Sequence, residues 1–334
     1  MRAMVLAGFK PATAAGPLEL RDVPVPKPGP SDILVKVSCC GVCHTDLHTI
    51  EGELPDVRLP RVPGHEVVGT VAGRGARARR FKTGDRVGAA WLHSACGACR
   101  FCKSGRENLC ENARFTGFHT NGGYAEYMIV PERFAYAVPR VFTDEEAAPL
   151  MCAGIVGYRS LKLSGIKAGG TLGLYGFGAS AHVAIQVARR RECRVFVFTR
   201  SEEHRRLAKK LGAAWTGSAQ DVAPAKLDAA VIFAPAGNLY LDALRALDRG
   251  GTAVSAGIYM SPVPEMDYNR YLYHERVVTS VANATRADGE ELLKVAAEIP
   301  IRTTVQVFRL EEANEVLRRI KMGKVTGAAV LRVG

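Results

Sequence analysis

Up to about residue 150, apolar and polar residues alternate in short runs, as at 33–37 and 66–71, and turn formers such as Pro26, Pro28, Pro30, Gly73 and Gly75 separate those runs. Period-two patterning between turn residues predicts an antiparallel β region with many loops. Near residue 150 the texture changes. Apolar runs at 171–175 and 194–198 flank a stretch, 179–191, whose apolar positions recur at helical spacing. Runs at 229–233 and 252–256 continue the series, with a helical 240–247 between them. Strand, helix, strand repetition at this interval predicts a parallel sheet with helices on both faces. Beyond about 285 the pattern reads as a helix (289–298), a strand, a helix (310–321) and a last strand at 328–332.

A length of 334 residues suits two domains of about 150 residues each. With 47% apolar and 7% aromatic residues, the chain has material for sizeable cores and is not compositionally disordered. No apolar run reaches the roughly 18 residues that cross a bilayer. The first nine residues are too short and too lightly charged for a secretory signal, so the expected location is the cytoplasm, without a membrane partner. The net charge of +12 admits nucleic acid, acidic lipid or a phosphorylated ligand. Much of the excess falls on helical-looking stretches, such as Arg189-Arg190-Arg191 and Arg205-Arg206 with Lys209-Lys210. There it reads as a solvated face.

The nine cysteines are more telling. Cys96, Cys99, Cys102 and Cys110 form C-x2-C-x2-C-x7-C, with Gly97 and Gly105 placed for tight turns. Four thiolates this close can close a tetrahedral shell on one Zn²⁺, and a shell with no open position is structural. An iron–sulfur cluster and unligated thiols are the alternatives. A second, scattered set comprises Cys43 and His44 before Thr45, Asp46 and His48, then His65 and Glu66, then Cys152. Two thiolates and an imidazole would leave a fourth position free, as a catalytic zinc requires. Taken singly, each of these residues is more readily a core thiol or a satisfied histidine, and spacing alone does not join residues 43, 65 and 152.

Gly176, Gly178 and Ala181 end one predicted strand and open a helix in the pattern G-x-G-x-x-G/A. The pattern supplies a tight turn, close approach of a pyrophosphate, and close helix–strand packing. The next strand ends in Thr199-Arg200-Ser201, with His204 and Arg205 a helical turn on. No carboxylate stands where a ribose 2′-hydroxyl would be held, whereas a hydroxyl and a guanidinium suit a 2′-phosphate. The sequence therefore favours NADP(H), with NAD(H) possible if Glu202 or Glu203 reaches the ribose.

Residues 41–48, the segment 64–71 and the cysteine quartet closely resemble those of the zinc-dependent alcohol dehydrogenases of the medium-chain dehydrogenase/reductase superfamily, the bacterial members above all, and the match runs over essentially the whole chain. The resemblance implies an α/β protein: a β-rich GroES-like catalytic domain (1–153), a doubly wound Rossmann domain with a parallel sheet (154–284), and a C-terminal return to the catalytic domain (285–334). It implies two zinc ions per chain. Cys43, His65 and Cys152 would hold the catalytic ion, Glu66 would approach it when ligands exchange, and Asp46 would orient His65. The quartet would hold the structural ion. Thr45, a cofactor ribose hydroxyl and His48 would relay the proton, and His44 would contact the pyrophosphate. Trp91 would line the substrate pocket, and Ile50 would replace a second pocket tryptophan and so widen it. The arginine that many relatives carry in a C-terminal Gly-Arg-x-Val-Leu segment, contacting pyrophosphate, is absent here, where the chain reads Gly327-Ala328-Ala329-Val330-Leu331.

The expected reaction is hydride transfer between a primary alcohol or its aldehyde and a nicotinamide cofactor. An NADPH-dependent reductase of aldehydes is the nearest alternative, and the resemblance also implies a homo-oligomer, a tetramer rather than a dimer. A zinc-ribbon protein binding nucleic acid is a distant alternative. It would need base-stacking aromatics or a base-reading helix near the basic residues, which the sequence lacks. A nucleic-acid partner is therefore not expected.

Overall fold

The computed structural model describes residues 1–299 and 301–334. The chain divides into two compact units, one of Met1–Cys152, Thr285–Ala297 and Thr303–Gly334, the other of Ala153–Ala284 and Glu298–Arg302.

The first unit is built on a seven-stranded sheet. Its strands run in the order Val305–Arg309, Ala328–Arg332, Asp32–Val42, Glu66–Arg74, Arg86–Ala89 and Ala135–Ala137, and Tyr127–Pro131 pairs with Asp32–Val42 as well. All pairings are antiparallel except the one between Val305–Arg309 and Ala328–Arg332, which is parallel. The strands before residue 150 thus pair as their alternation predicts, and the parallel pair lies at the C-terminal end, where the helix Ala313–Lys321 intervenes and a crossover helix brings the chain back in the same direction. Alternation does its predicted work along Asp32–Val42, where Ile33, Val35 and Val37 face the core and Lys36 faces water. The strand is irregular between Val37 and Cys39, where its register against Glu66–Arg74 shifts.

The second unit carries six parallel strands in the order Trp215–Gly217, Arg194–Phe198, Thr171–Tyr175, Leu227–Ile232, Leu247–Ser255 and Val277–Ser280. In chain order that is 3-2-1-4-5-6, the doubly wound arrangement, with its reversal between Thr171–Tyr175 and Leu227–Ile232. Thr171–Tyr175 is buried along its whole length, as a central parallel strand covered on both faces must be. The helix Ala179–Arg190 turns Ala181, Ala184, Ile185 and Ala188 inward and ends in exposed Arg189 and Arg190. Cations at that end also complement the helix dipole. Gly157 on the helix Ala153–Leu163 allows the close crossing, since a Cβ there would lie 2.8 Å from Ser180 O.

Candidate active site

The helix His44–Ile50 starts at Cys43, and Asp46 Oδ2 accepts the Cys43 backbone N–H at 2.9 Å. That is the usual capping use of an acidic residue in a first helical turn. The same carboxylate does more. Its Oδ1 accepts from Gly64 N–H at 3.2 Å and from His65 Nδ1 at 3.2 Å, and its Oδ2 also accepts the Tyr124 hydroxyl at 3.1 Å. Asp46, His65 and Tyr124 are all buried, so four donors compensate a carboxylate that burial would otherwise penalise.

Fixing Nδ1 on Asp46 turns His65 Nε2 the other way, and that nitrogen is buried with no hydrogen-bond partner among the described residues. One ligand atom each from Cys43, His65, Glu66 and Cys152 lie within 4.8 Å of one another. A tetrahedron with 2.3 Å zinc–sulfur bonds has edges of ~3.8 Å, so one small ion fits the cluster. An orphaned imidazole nitrogen facing two thiols and a carboxylate is a donor set for a soft divalent cation. The electrostatics agree. Burial alone would lower the His65 pKa, but Asp46 and Cys43 outweigh it and hold it well above the ordinary imidazole value. The Cys43 thiol is held well below its usual value by its bond with Cys152 and by His65, against burial.

Two glycines make the close packing possible. Gly41 lies where a Cβ would sit 1.9 Å from Glu66 Oε2, and Gly64, at φ +95°, where a Cβ would meet Tyr124 Cδ1 at 2.4 Å. Thr45 is buried with Oγ1 3.7 Å from Cys43 Sγ, and the thiol donates. His48 is mostly enclosed, and its Nδ1 meets Glu53 Oε2 at 2.5 Å. His44 is exposed at the start of the helix. Trp91 is buried and presents its ring edge-on to His65, with centroids 4.8 Å apart.

Ile50 has no exposed surface and belongs to the hydrophobic core. The helical repeat explains why: Ile50 follows Leu47 by three residues, on the face that packs inward. Tyr124 is the residue sequence reasoning missed. Its signal was slight, a tyrosine after Gly122-Gly123, and its partner lies 78 positions away.

The quartet forms the second cluster of the same unit, Cys96, Cys99, Cys102 and Cys110 being mutually within 4.8 Å. Cys96 Sγ accepts from the backbone N–H groups of Ala98 and Cys99, which lower its pKa to about 6. Cys96 and Cys99 N–H groups converging on sulfurs of the set form the nest that tight turns at Gly97 and Gly105, both at positive φ, produce. Glu107 anchors this loop: it takes two side-chain bonds and one backbone bond from Arg286.

In the second unit, Gly176 adopts φ +87° and donates to Phe198 O at 2.8 Å, and a Cβ on it would lie 3.0 Å from Ala234 Cβ. Gly178 begins the helix Ala179–Arg190, whose first backbone N–H groups suit an anion, and Ala181 is fully buried against the sheet. Thr199 is buried at the end of Arg194–Phe198, and Arg205 Nε donates to its carbonyl at 3.0 Å while pairing with Glu202 at 3.6 Å. Arg200 is exposed and makes no ion pair among the described residues. His204 is half-buried, its backbone N–H held by Ser201.

Residues 29–140 match the family model of the alcohol dehydrogenase GroES-like domain, and residues 179–298 that of the zinc-binding dehydrogenases. A probable alcohol dehydrogenase AdhA of Mycobacterium tuberculosis is 47% identical over 323 residues, covering 95% of this chain and 93% of its own. Among solved structures, a cinnamyl alcohol dehydrogenase from Sorghum bicolor is similar with a TM-score of 0.90 at 28% identity, covering 99% of this chain and 97% of its own. An NAD-dependent alcohol dehydrogenase matches over 100% of both chains, with a TM-score of 0.91 at 28% identity. Identity at that level across nearly all of two chains preserves the fold and the order of its elements together, and the present chain belongs to the zinc-type alcohol dehydrogenases of the medium-chain dehydrogenase/reductase superfamily.

Proposed function

We propose that this chain interconverts primary alcohols and aldehydes by hydride transfer with a nicotinamide dinucleotide, at a zinc held by Cys43, His65 and Cys152. The observation that carries the reading is the partnerless His65 Nε2 within a cluster of two thiols and a carboxylate. Zinc with one open position supplies Lewis acidity that lowers the pKa of an oxygen ligand. The protein's part is the rest. Asp46 fixes the His65 tautomer, and Glu66 stands in the same cluster, ready to take a position when ligands exchange. Trp91 walls the cluster on the His65 side.

The released proton needs a way out of a dry site. Thr45 would accept it and pass another on, and His48, whose Nδ1 meets Glu53 at the surface, would carry it outward once a bound cofactor's hydroxyl joins the two. The quartet holds a second, structural zinc. Gly176, Gly178 and Ala181 cradle the pyrophosphate, and His44 contacts it. Thr199 and unpaired Arg200, with His204 and Arg205 behind them, favour NADP(H) over NAD(H) at the adenosine end. The part comprising 1–153 and 285–334 carries the chemistry, and 154–284 carries the dinucleotide. Reduction of aldehydes is the second reading, supported by the cinnamyl alcohol dehydrogenase among the similar structures. We further propose a homo-oligomer, a tetramer, in the cytoplasm, a compartment in keeping with nine cysteines of which none is in a disulfide.

Metal analysis joined to a substrate panel with both cofactors tests this. The unaltered protein should hold two zinc ions per chain, and Cys152→Ser should keep one and lose turnover. Full alcohol turnover by Cys152→Ser would defeat the assignment.

A further inference from the structure

The loop after Arg114 stands beside the Cys43 cluster without contributing a ligand to it. Thr116 fixes it there: its N–H donates to Trp91 O and its hydroxyl to Ala90 O, both at 2.8 Å. Gly117, at φ +74°, lets the loop pack on the backbone before His65, since a Cβ on it would lie 2.8 Å from Gly64 N. From His65 the rings run outward in three centroid-to-centroid steps, 4.8 Å to Trp91, 5.6 Å to Phe118 and 4.6 Å to His119. Burial falls along the way. His65 is fully enclosed, Trp91 and Phe118 each keep 6% of their surface, and His119 is half-buried.

The outer end of this track is cationic. His119 Nδ1 accepts the Phe115 backbone N–H at 3.3 Å, so the ring hydrogen sits on Nε2, an accessible atom with no partner among the described residues. Nearby are Arg58 and Arg114, both exposed, and half-buried Arg61. Arg114 donates to His119 O, and Arg61 donates to Asn121 Oδ1 and to Arg58 O, each at 3.1 Å. Those acceptors are neutral, and none of the three arginines pairs with a carboxylate among the described residues. Asp56 opposes the three guanidinium groups at His119, yet burial and the arginines together lower its pKa, so near pH 7 the ring is a neutral donor.

Three guanidinium groups without a carboxylate partner and an open imidazole donor, at the outer end of an apolar track, suit an anion at the far end of a substrate. We propose that the preferred substrates are medium-chain primary alcohols or aldehydes whose far end carries a carboxylate. This rests on the alcohol chemistry proposed for Cys43, His65 and Cys152 and adds the class of molecule. The reacting carbon would lie at that cluster, the methylene chain along Trp91 and Phe118, and the carboxylate by Arg58 and Arg114 within reach of His119. Charge selects: a neutral chain end gains nothing from the guanidinium groups, and an ammonium end is repelled.

Three alcohols of one length test this: ω-hydroxyoctanoate, octanol and ω-aminooctanol. With the zinc-loaded enzyme, kcat/KM should be about 10-fold higher for ω-hydroxyoctanoate than for octanol, the scale of one charge-assisted hydrogen bond, and lowest for ω-aminooctanol. The advantage should lie in KM, and it should shrink between about 0.1 M and about 1 M salt as the screening length falls from ~10 Å to ~3 Å. Arg58→Glu, at an exposed position, should reverse the order of the two charged alcohols. Arg114→Gln should cut the ratio of ω-hydroxyoctanoate to octanol several-fold. Calorimetric titration without cofactor, which reads binding and not turnover, should rank the three compounds in the same order. Turnover of octanol with no preference for ω-hydroxyoctanoate, or a preference that survives both Arg58→Glu and high salt, would overturn the proposal and leave the alcohol chemistry standing. Absence of turnover with all three would overturn both.

Discussion

Asp46 shows how one side chain can serve three levels of structure. It caps a helix through Cys43 N–H, fixes the loop at Gly64, and holds the imidazole of His65. Groups that orient a metal-bound histidine are worth roughly 10- to 100-fold in metal affinity or activity. Asp46→Asn should therefore release zinc from the Cys43 cluster at chelator concentrations the parent withstands, with kcat/KM falling by a similar factor. Tyr124→Phe, which removes one neutral hydroxyl donor, should show a smaller effect of the same sign, ~1 kcal/mol or about 5-fold. Zinc titration against a chromogenic chelator ranks the two. A different lesson comes from Ile50. Because the side chain is wholly enclosed, Ile50→Trp should overpack the core and cost ~1–3 kcal/mol, read as a lower midpoint in urea, and should leave the ratio of ethanol to hexanol turnover unaltered. Unchanged stability with a narrowed substrate range would place Ile50 at the substrate pocket instead.

Among the elements, the turn after Arg194–Phe198 is the one proposed above to set cofactor choice. Thr199 is buried with its carbonyl tied to Arg205, so a carboxylate at this position would be held in place next to the adenosine end of the dinucleotide. Thr199→Asp should repel a 2′-phosphate and weaken NADP(H) use by about 10-fold or more, on the scale of a lost charge-assisted contact. Comparing kcat/KM for both cofactors checks it, and a clear preference of the unaltered protein for NAD(H) would overturn the expected order. The strands at 171–175, 194–198 and 328–332 stand where their apolar runs put them. They were legible because a buried parallel strand is a short continuous apolar run, and a Gly-rich turn after it has few other uses. The helix at 286–298 begins three residues before its predicted start, where Thr285 takes Asp288 into a local hydrogen-bonded cap that periodicity does not register.

At the scale of the first unit, Glu107 ties the cysteine loop to Arg286, at the head of the helix Arg286–Glu298. Burial alone would raise the Glu107 pKa, but the bonds from Arg286 outweigh it and hold the carboxyl below the usual range. A depressed carboxyl stabilises the fold above its unfolded pKa of about 4.3, and that stability is lost as pH falls through the lower native value. Glu107→Gln should thus melt below the parent at pH 7, and the gap should close on acidification below about pH 4. Thermal unfolding of both proteins across pH 3 to 7 measures it, and a gap that stays constant over this range would refute the linkage.

What the amino-acid sequence determined alone was whatever depends on neighbours along the chain. The cysteine quartet spans fifteen positions, the glycine loop six, and the strands Thr171–Tyr175 and Arg194–Phe198 five each, so spacing and periodicity carry them directly. Tertiary structure decided what depends on closeness between distant positions. Cys43, His65 and Cys152 meet because the sheet of the first unit brings the ends of Asp32–Val42 and Glu66–Arg74 together beside the turn that ends at Met151. The same meeting gave Asp46 its tyrosine and buried Ile50. A contact between residues 78 positions apart leaves no period in a sequence, because the packing energy that selects it is summed over the whole core and not over one segment.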